Sequence, residues 1–137
     1  MSSFEVRAIG RVESPLTDLE SAPRQADEDA PEARLVFEPE VVEGLGGLSP
    51  GDQVILITWL DRARRDVLHV HPRGDTSRPR MGVFSTRSPH RPNPIGLHQV
   101  EVIDIDGRVV RVRSLEAIDG TPILDVKAIL SEDIHQR

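Results

Sequence analysis

Three prolines fall within six positions of one another, at Pro89, Pro92 and Pro94, inside the segment Met81–Leu97 that reads MGVFSTRSPHRPNPIGL. Each proline fixes its own φ and pushes the residue before it out of the helical region, so Ser88, Arg91 and Asn93 are biased toward extended backbone. A proline also donates nothing to a β-ladder, which excludes a central strand. The segment is therefore expected to open as a buried strand, with Met81, Val83 and Phe84 running into Thr86, and then to become a stiff irregular arch. That arch carries Arg87, Ser88, His90, Arg91 and Asn93. A pre-stiffened loop loses little conformational entropy when something docks on it, which suits a binding site. A rigid crossover with solvated arginines has the same local pattern.

The 137 residues suit one domain. One Trp, three Phe and no Tyr leave an aliphatic core, and the Val- and Ile-rich segments favour strands. The absence of cysteine removes disulfides, thiolate metal sites and cysteine nucleophiles, and fits a reducing, cytoplasmic setting. No targeting segment or membrane-length apolar run is visible, so a soluble protein with no membrane partner is expected. The net charge of −6 argues against bulk nucleic-acid binding. Its distribution is uneven: residues 62–91 hold eight arginines against only Asp66 and Asp75. That asymmetry suits an anionic partner at one place and repulsion elsewhere.

Phe4–Val12 alternates weakly and reads as a first strand, ended by Ser14-Pro15. Residues 15–34 read as a long polar loop. Ala33–Phe37 is a short strand, and Pro39–Leu45 is a helical stretch that Gly46 stops. Ser49-Pro50-Gly51-Asp52 is a turn. It launches Gln53–Leu60, QVILITWL, whose unbroken apolar run predicts a fully buried strand. Arg65–His71 alternates and is expected to pair with it. After the arch, Leu97–Ile105 forms a strand, and Asp106-Gly107 is a two-residue hairpin signal. Arg108–Leu115 returns antiparallel, Asp119-Gly120 turns, and Ile123–Ile129 closes the set, leaving 131–137 as a polar tail. About seven short strands with one short helix imply an all-β fold, an antiparallel β-barrel in a single domain over residues 1–130. A Rossmann fold would need alternating helices, which the sequence lacks.

Two superficial motifs carry little. Gly44, Gly46 and Gly47 lack the strand and helix that a phosphate loop requires. His69 and His71 share a face, but no third ligand is evident nearby, so no metal is expected.

The string TRSPHRPNPIGL over Thr86–Leu97 closely resembles the signature of the TrmO/YaeB/VirR-type family of S-adenosylmethionine-dependent methyltransferases. Upstream, Ala22-Pro23-Arg24-Gln25 resembles the family's Pro-Arg-Gln element. Downstream, Asp119–Lys127, DGTPILDVK, resembles its DGTP(I/V)LD(I/V)K element. Three separated motifs in the same order span most of the chain, from Ile9 to Ile129. The resemblance implies an all-β methyltransferase architecture. It also implies a homodimer with the cofactor near the subunit interface, and methylation of N6 of threonylcarbamoyladenosine beside a tRNA anticodon. Longer members carry a further C-terminal domain thought to help hold tRNA, whereas this sequence stops near Arg137.

On this resemblance the S-adenosylmethionine site is expected to draw on Pro23, Arg24, Gln25, Asp61, Arg87, Ser88, Arg91, Asn93, Leu97, Asp119, Gly120, Thr121, Pro122 and Leu124. Arginines suit the carboxylate of the methionine moiety, acids its ammonium and sulfonium, and Leu97, Ile123 and Leu124 an adenine slot. Asp61 enters because a polar residue near that position contacts the cofactor in the family. Methyl transfer is an in-line displacement that needs alignment more than acid or base. Because a carbamoyl-bearing nitrogen is a poor nucleophile, Asp119 or Asp125 is the candidate proton acceptor, ahead of Asp61 or His90. Arg73, Arg78, Arg80 and His90 are the candidate RNA contacts. Two other readings stay open: a small-molecule methyltransferase of the same fold, and a non-catalytic S-adenosylmethionine-binding regulator.

Overall fold

A computed structural model describes residues 1–17 and 31–130, apart from the side chain of Arg73. Eight strands are present: β1 (Gly10–Glu13), β2 (Ala33–Phe37), β3 (Gln53–Trp59), β4 (His69–Val70), β5 (Met81–Gly82), β6 (Ile95–Asp106), β7 (Val109–Arg113) and β8 (Pro122–Ala128). Six of them pair in the order β1-β2-β7-β6-β3-β8, entirely antiparallel. β8 also pairs with β1, so the sheet closes on itself as a barrel and leaves no free edge among these six. β4 and β5 form a separate two-stranded ribbon. No Rossmann-type alternation exists among the described residues.

Strict two-residue alternation fills the interior. Val54 and Leu56 of β3, Val100 and Val102 of β6, Val110 and Val112 of β7, and Leu35 and Phe37 of β2 all face inward and are buried. Phe37 is the only aromatic side chain in this cluster, which is otherwise aliphatic. On the outside, Arg34 of β2 and Arg111 and Arg113 of β7 are solvated, and two of them meet acids of neighbouring strands: Arg34 lies 3.1 Å from Glu13 of β1 and Arg113 3.9 Å from Glu101 of β6.

Several expectations are corrected. The first strand is only Gly10–Glu13; Phe4 and Val6 are exposed, and among the described residues no strand pairs with that part of the chain. The strand starts at Gly10 because only glycine fits there: a Cβ would lie 2.6 Å from the Val36 carbonyl oxygen. β3 is not buried on both sides. Its run serves two faces, with Val54, Leu56 and Thr58 inside and Ile55, Ile57 and Trp59 half-covered outside. Arg65–His71 does not return along β3; only His69–Val70 is strand, and it pairs with β5. The expected opening strand of the arch is reduced to Met81–Gly82, followed by a 3-10 turn over Val83–Ser85. Of that stretch only Val83 is buried, and Phe84 is 79% exposed.

The helix at Pro39–Leu45 is a 3-10 segment whose stop is shared: Gly46 keeps a negative φ and Gly47 takes the left-handed one. Asp106 pairs with Val109, so the hairpin's two loop residues are Gly107 and Arg108, shifted by one from the expected pair. The strands around it run Ile95–Asp106 and Val109–Arg113, and the last is Pro122–Ala128. The Ser49–Asp52 turn is as expected, with Gly51 at φ +94° and the Asp52 carboxylate accepting from the Ser49 amide at 2.9 Å. The tail at 131–137 lies outside the described residues.

Candidate functional site

One end of the barrel gathers two of the three motif segments, the arch and the Asp119-Gly120 turn. Thr58, near the end of β3, lies opposite Gly96 of β6 on one side and Ile123 of β8 on the other. The arch therefore enters β6, and the Asp119-Gly120 turn enters β8, on either flank of the same strand end. The Leu60 amide bonds the Pro94 carbonyl at 2.7 Å, fastening the chain after β3 to the foot of the arch. From the other flank, the Asp119 amide donates to the Leu16 carbonyl and its Oδ1 accepts from the Ser14 amide at 3.0 Å. Arg62 Nη1 reaches the Thr17 carbonyl at 2.8 Å, closing the ring of contacts around this end.

Within the arch the arginines divide in role. Arg91 is partly buried, and it donates to the carbonyls of Ser88 (2.9 Å), Val83 (2.8 Å) and Thr86 (2.6 Å). Its guanidinium is the internal brace of a loop that has no ladder of its own. Arg87 is exposed and makes one bond, Nη2 to the Leu97 carbonyl at 2.8 Å, leaving the rest of its fork free among the described residues. Ser88 Oγ accepts from the His90 amide at 3.3 Å, and His90 Nδ1 accepts from the Arg64 amide at 3.0 Å. An Nδ1 that accepts places the neutral ring's proton on Nε2.

Asn93 is held from outside the arch. Its Oδ1 accepts from Arg65 Nη2 at 3.0 Å, while Arg65 Nε donates to the Pro92 carbonyl at 2.7 Å. The same guanidinium lies 5.1 Å from the centre of the Trp59 ring, a cation–π distance. The sequence placed Arg65 in a basic run and at the start of an expected strand, not at the arch.

The remaining candidates are spread over rim and outer flank. Asp61 is exposed at the end of β3, with its amide turned to the Trp59 carbonyl. Leu97 and Asp125 lie on the outer face, each opposite Ile57 from its own side. Asp125 is 3.7 Å from Lys127 Nζ and accepts from the Val126 amide. Gly120, at φ +84°, makes the turn, and Pro122 is the first residue of β8. Thr121 is buried and donates its hydroxyl proton to the Ile118 carbonyl at 2.7 Å, so it shapes the turn. The register shifts between Ile57 and Thr58, leaving Leu124 as the extra residue of a bulge, a device that re-aims side chains near sites. Pro23, Arg24 and Gln25 lie outside the described residues.

The basic region is less free than its count suggests. Arg64 makes a two-pronged pair with Asp66 at 3.0 and 2.9 Å. These hydrogen bonds hold the Asp66 carboxyl below the usual carboxylate range and raise the Arg64 guanidinium. Asp75 is likewise lowered, chiefly by the Ser77 hydroxyl. Arg78 and Arg80 are exposed, with no side-chain partner among the described residues. His69 and His71 gain no third ligand, and no metal-holding cluster occurs among the described residues. His71 Nδ1 lies 2.8 Å from the Arg78 carbonyl.

Sequence reading missed one constellation entirely. His98, 5% exposed and inward on β6, has Nε2 2.7 Å from Thr58 Oγ1 and Nδ1 2.5 Å from Glu116 Oε1. The signal was available: His98 holds an inward position between Gly96 and Val100 in a strand that otherwise turns apolar residues inward.

The sequence profile of the tRNA-methyltransferase O N-terminal domain matches residues 11–133. The chain belongs to this family. A "Probable S-adenosyl-L-methionine-binding protein" of Methanothermobacter thermautotrophicus is 41% identical over 129 residues, covering 93% of this chain and 92% of that protein. One of the same description in Archaeoglobus fulgidus is 42% identical over 127 residues, but there the chain spans only 34% of the relative's length. The crystal structure of TrmO from Pseudomonas aeruginosa matches with a TM-score of 0.75 at 25% identity, covering 98% of this chain and 59% of that one. No helix among the described residues is long and apolar enough to cross a membrane.

Proposed function

We propose that this chain is an S-adenosylmethionine-dependent methyltransferase domain, spanning residues 1–130 and located in the cytoplasm, whose acceptor is N6 of threonylcarbamoyladenosine next to a tRNA anticodon. The observation that carries the reading is the meeting of the arch and the Asp119-Gly120 turn on either flank of Thr58, at one barrel end. The family membership and the names of the relatives support the cofactor.

The residues present fit that cofactor. Arg87 keeps uncommitted N–H groups on an exposed fork, suited to a carboxylate. Asp119 uses Oδ1 within the fold, and its Oδ2 makes no bond among the described residues, which suits an ammonium or a departing proton. Leu97 and Ile95, exposed beside Arg87's anchor, offer apolar surface for a purine. When bound, S-adenosylmethionine supplies an activated methyl group, and the protein's task is alignment. In this reading Arg87 and the arch fix the cofactor's orientation, while Asp119 or Asp125 takes up the acceptor's proton. Arg91 serves as the brace that keeps the arch in place.

Arg78 and Arg80, with Arg73, are assigned to the RNA backbone. A homodimer is part of the proposal: Leu68, Met81, Phe84, Ile95 and Leu97 are each exposed, apolar surface that a second copy of the chain would cover.

Nucleoside mass spectrometry of tRNA incubated with the protein and S-adenosylmethionine tests the reading. Appearance of the N6-methylated threonylcarbamoyl nucleoside is the expected result. Labelled methyl appearing in no tRNA nucleoside sinks the tRNA acceptor, and cofactor binding without demethylated product points to a regulator.

A further inference from the structure

Beneath the site runs a buried chain of polar groups, Thr58–His98–Glu116, that links the two flanks. Glu116 belongs to the loop after β7, which also carries the Asp119-Gly120 turn. His98 lies two positions beyond Gly96, at the foot of the arch. The imidazole bonds Thr58 Oγ1 at 2.7 Å and Glu116 Oε1 at 2.5 Å. The neutral tautomer with its proton on Nδ1 satisfies both contacts: Nδ1–H donates to the carboxylate and Nε2 accepts from the Thr58 hydroxyl. The order hydroxyl, imidazole, carboxylate is that of a hydrolytic triad, but Thr58 has no exposed surface and cannot meet a substrate.

The surroundings are built for this link. A Cβ at Gly96 would lie 2.4 Å from Thr58 Oγ1 and 2.7 Å from His98 Nε2, so a motif glycine is required by the network itself. The loop enters through Ser114 at φ +69° and is pinned by buried Leu115, Ala117 and Ile118. Glu116 Oε2 is buried with no partner among the described residues, a costly feature that an apolar anchor would avoid. A network retained at such a cost fixes geometry more than it adds stability.

We propose that His98 and Glu116 are positioning residues that set the spacing between the arch, with Arg87 and Leu97, and the turn, with Asp119 and Gly120; this rests on the cofactor reading above. Neither residue touches the cofactor. Breaking the link lets the two halves of the site part while the barrel stays folded.

The test is calorimetric titration of S-adenosylmethionine into the parent, Glu116→Ala and Glu116→Gln proteins, with a thermal melt of each. Glu116→Ala is expected to weaken affinity tenfold or more while still melting cooperatively. Glu116→Gln, which can still accept from Nδ1–H, is expected to restore affinity to within threefold of the parent. Equal affinity of folded Glu116→Ala and the parent overturns the inference and leaves the cofactor reading standing. A folded parent that binds nothing overturns the cofactor reading and this inference with it. If Glu116→Ala does not fold, Thr58→Val decides: a threefold or greater loss of affinity supports the link, and unchanged affinity overturns it.

Discussion

Arg65 donates to the side-chain oxygen of Asn93 at 3.0 Å across 28 positions of sequence. With its second bond to Pro92 and its place over Trp59, this makes Arg65 a clamp that presses the arch onto the end of β3. Arg65→Lys keeps the charge but loses the fork. It is expected to lower stability by about 1 kcal/mol, the net scale of an exposed hydrogen bond. It should also weaken S-adenosylmethionine binding. Urea unfolding and calorimetry check both; unchanged values in each would free the arch from Arg65.

Arg91 braces the arch from inside through three carbonyls. Arg91→Ala strands partly buried acceptors, and a loss of about 2–3 kcal/mol is expected. Arg87→Ala, with one exposed bond, should leave the melting temperature nearly unchanged and reduce cofactor affinity. If the two variants show the same ratio of stability loss to affinity loss, the division of roles between them is wrong.

Gly96→Ala places a methyl group against Thr58 and His98, and a loss of about 1–3 kcal/mol is expected from overpacking. Thr58→Ala in the same chain removes the nearest clash at 2.4 Å and should recover part of it. A double-mutant cycle with no coupling contradicts the packing account.

The Arg64–Asp66 pair carries a pH signature. Hydrogen bonds from Arg64 hold the Asp66 carboxyl below its usual range, so any stability it lends is present above the unfolded-state value. That contribution is lost as pH falls through the depressed value. Asp66→Asn should remove this acid-side dependence and, by releasing Arg64, strengthen RNA binding most at low salt. Titration of the Asp66 carboxyl by NMR at an ordinary aspartate value would contradict the pairing.

The sequence made the arch legible because prolines act locally, wherever the chain folds. The alternation of Val110 and Val112 was legible for the same reason, since a period-two pattern reports a half-buried strand directly. Residues 4–8 and the stretch Arg65–His71 also alternate, yet among the described residues neither 4–8 nor 65–68 has a partner strand; alternation states a preference and pairing decides. The roles of Arg65 and His98 were not legible. Both depend on which distant segments meet, Asn93 with Arg65 and Glu116 with His98, and no local rule encodes that. The candidate site is legible through motif resemblance, whereas the contacts that brace its segments are set by the fold.

The most direct test of the account is titration of S-adenosylmethionine into the purified chain, with stoichiometry recorded per subunit. Saturable binding that Arg87→Ala weakens, with the variant still folded, is the result predicted. No binding by a folded chain, either alone or with tRNA present, would contradict the assignment of this barrel end as a cofactor site.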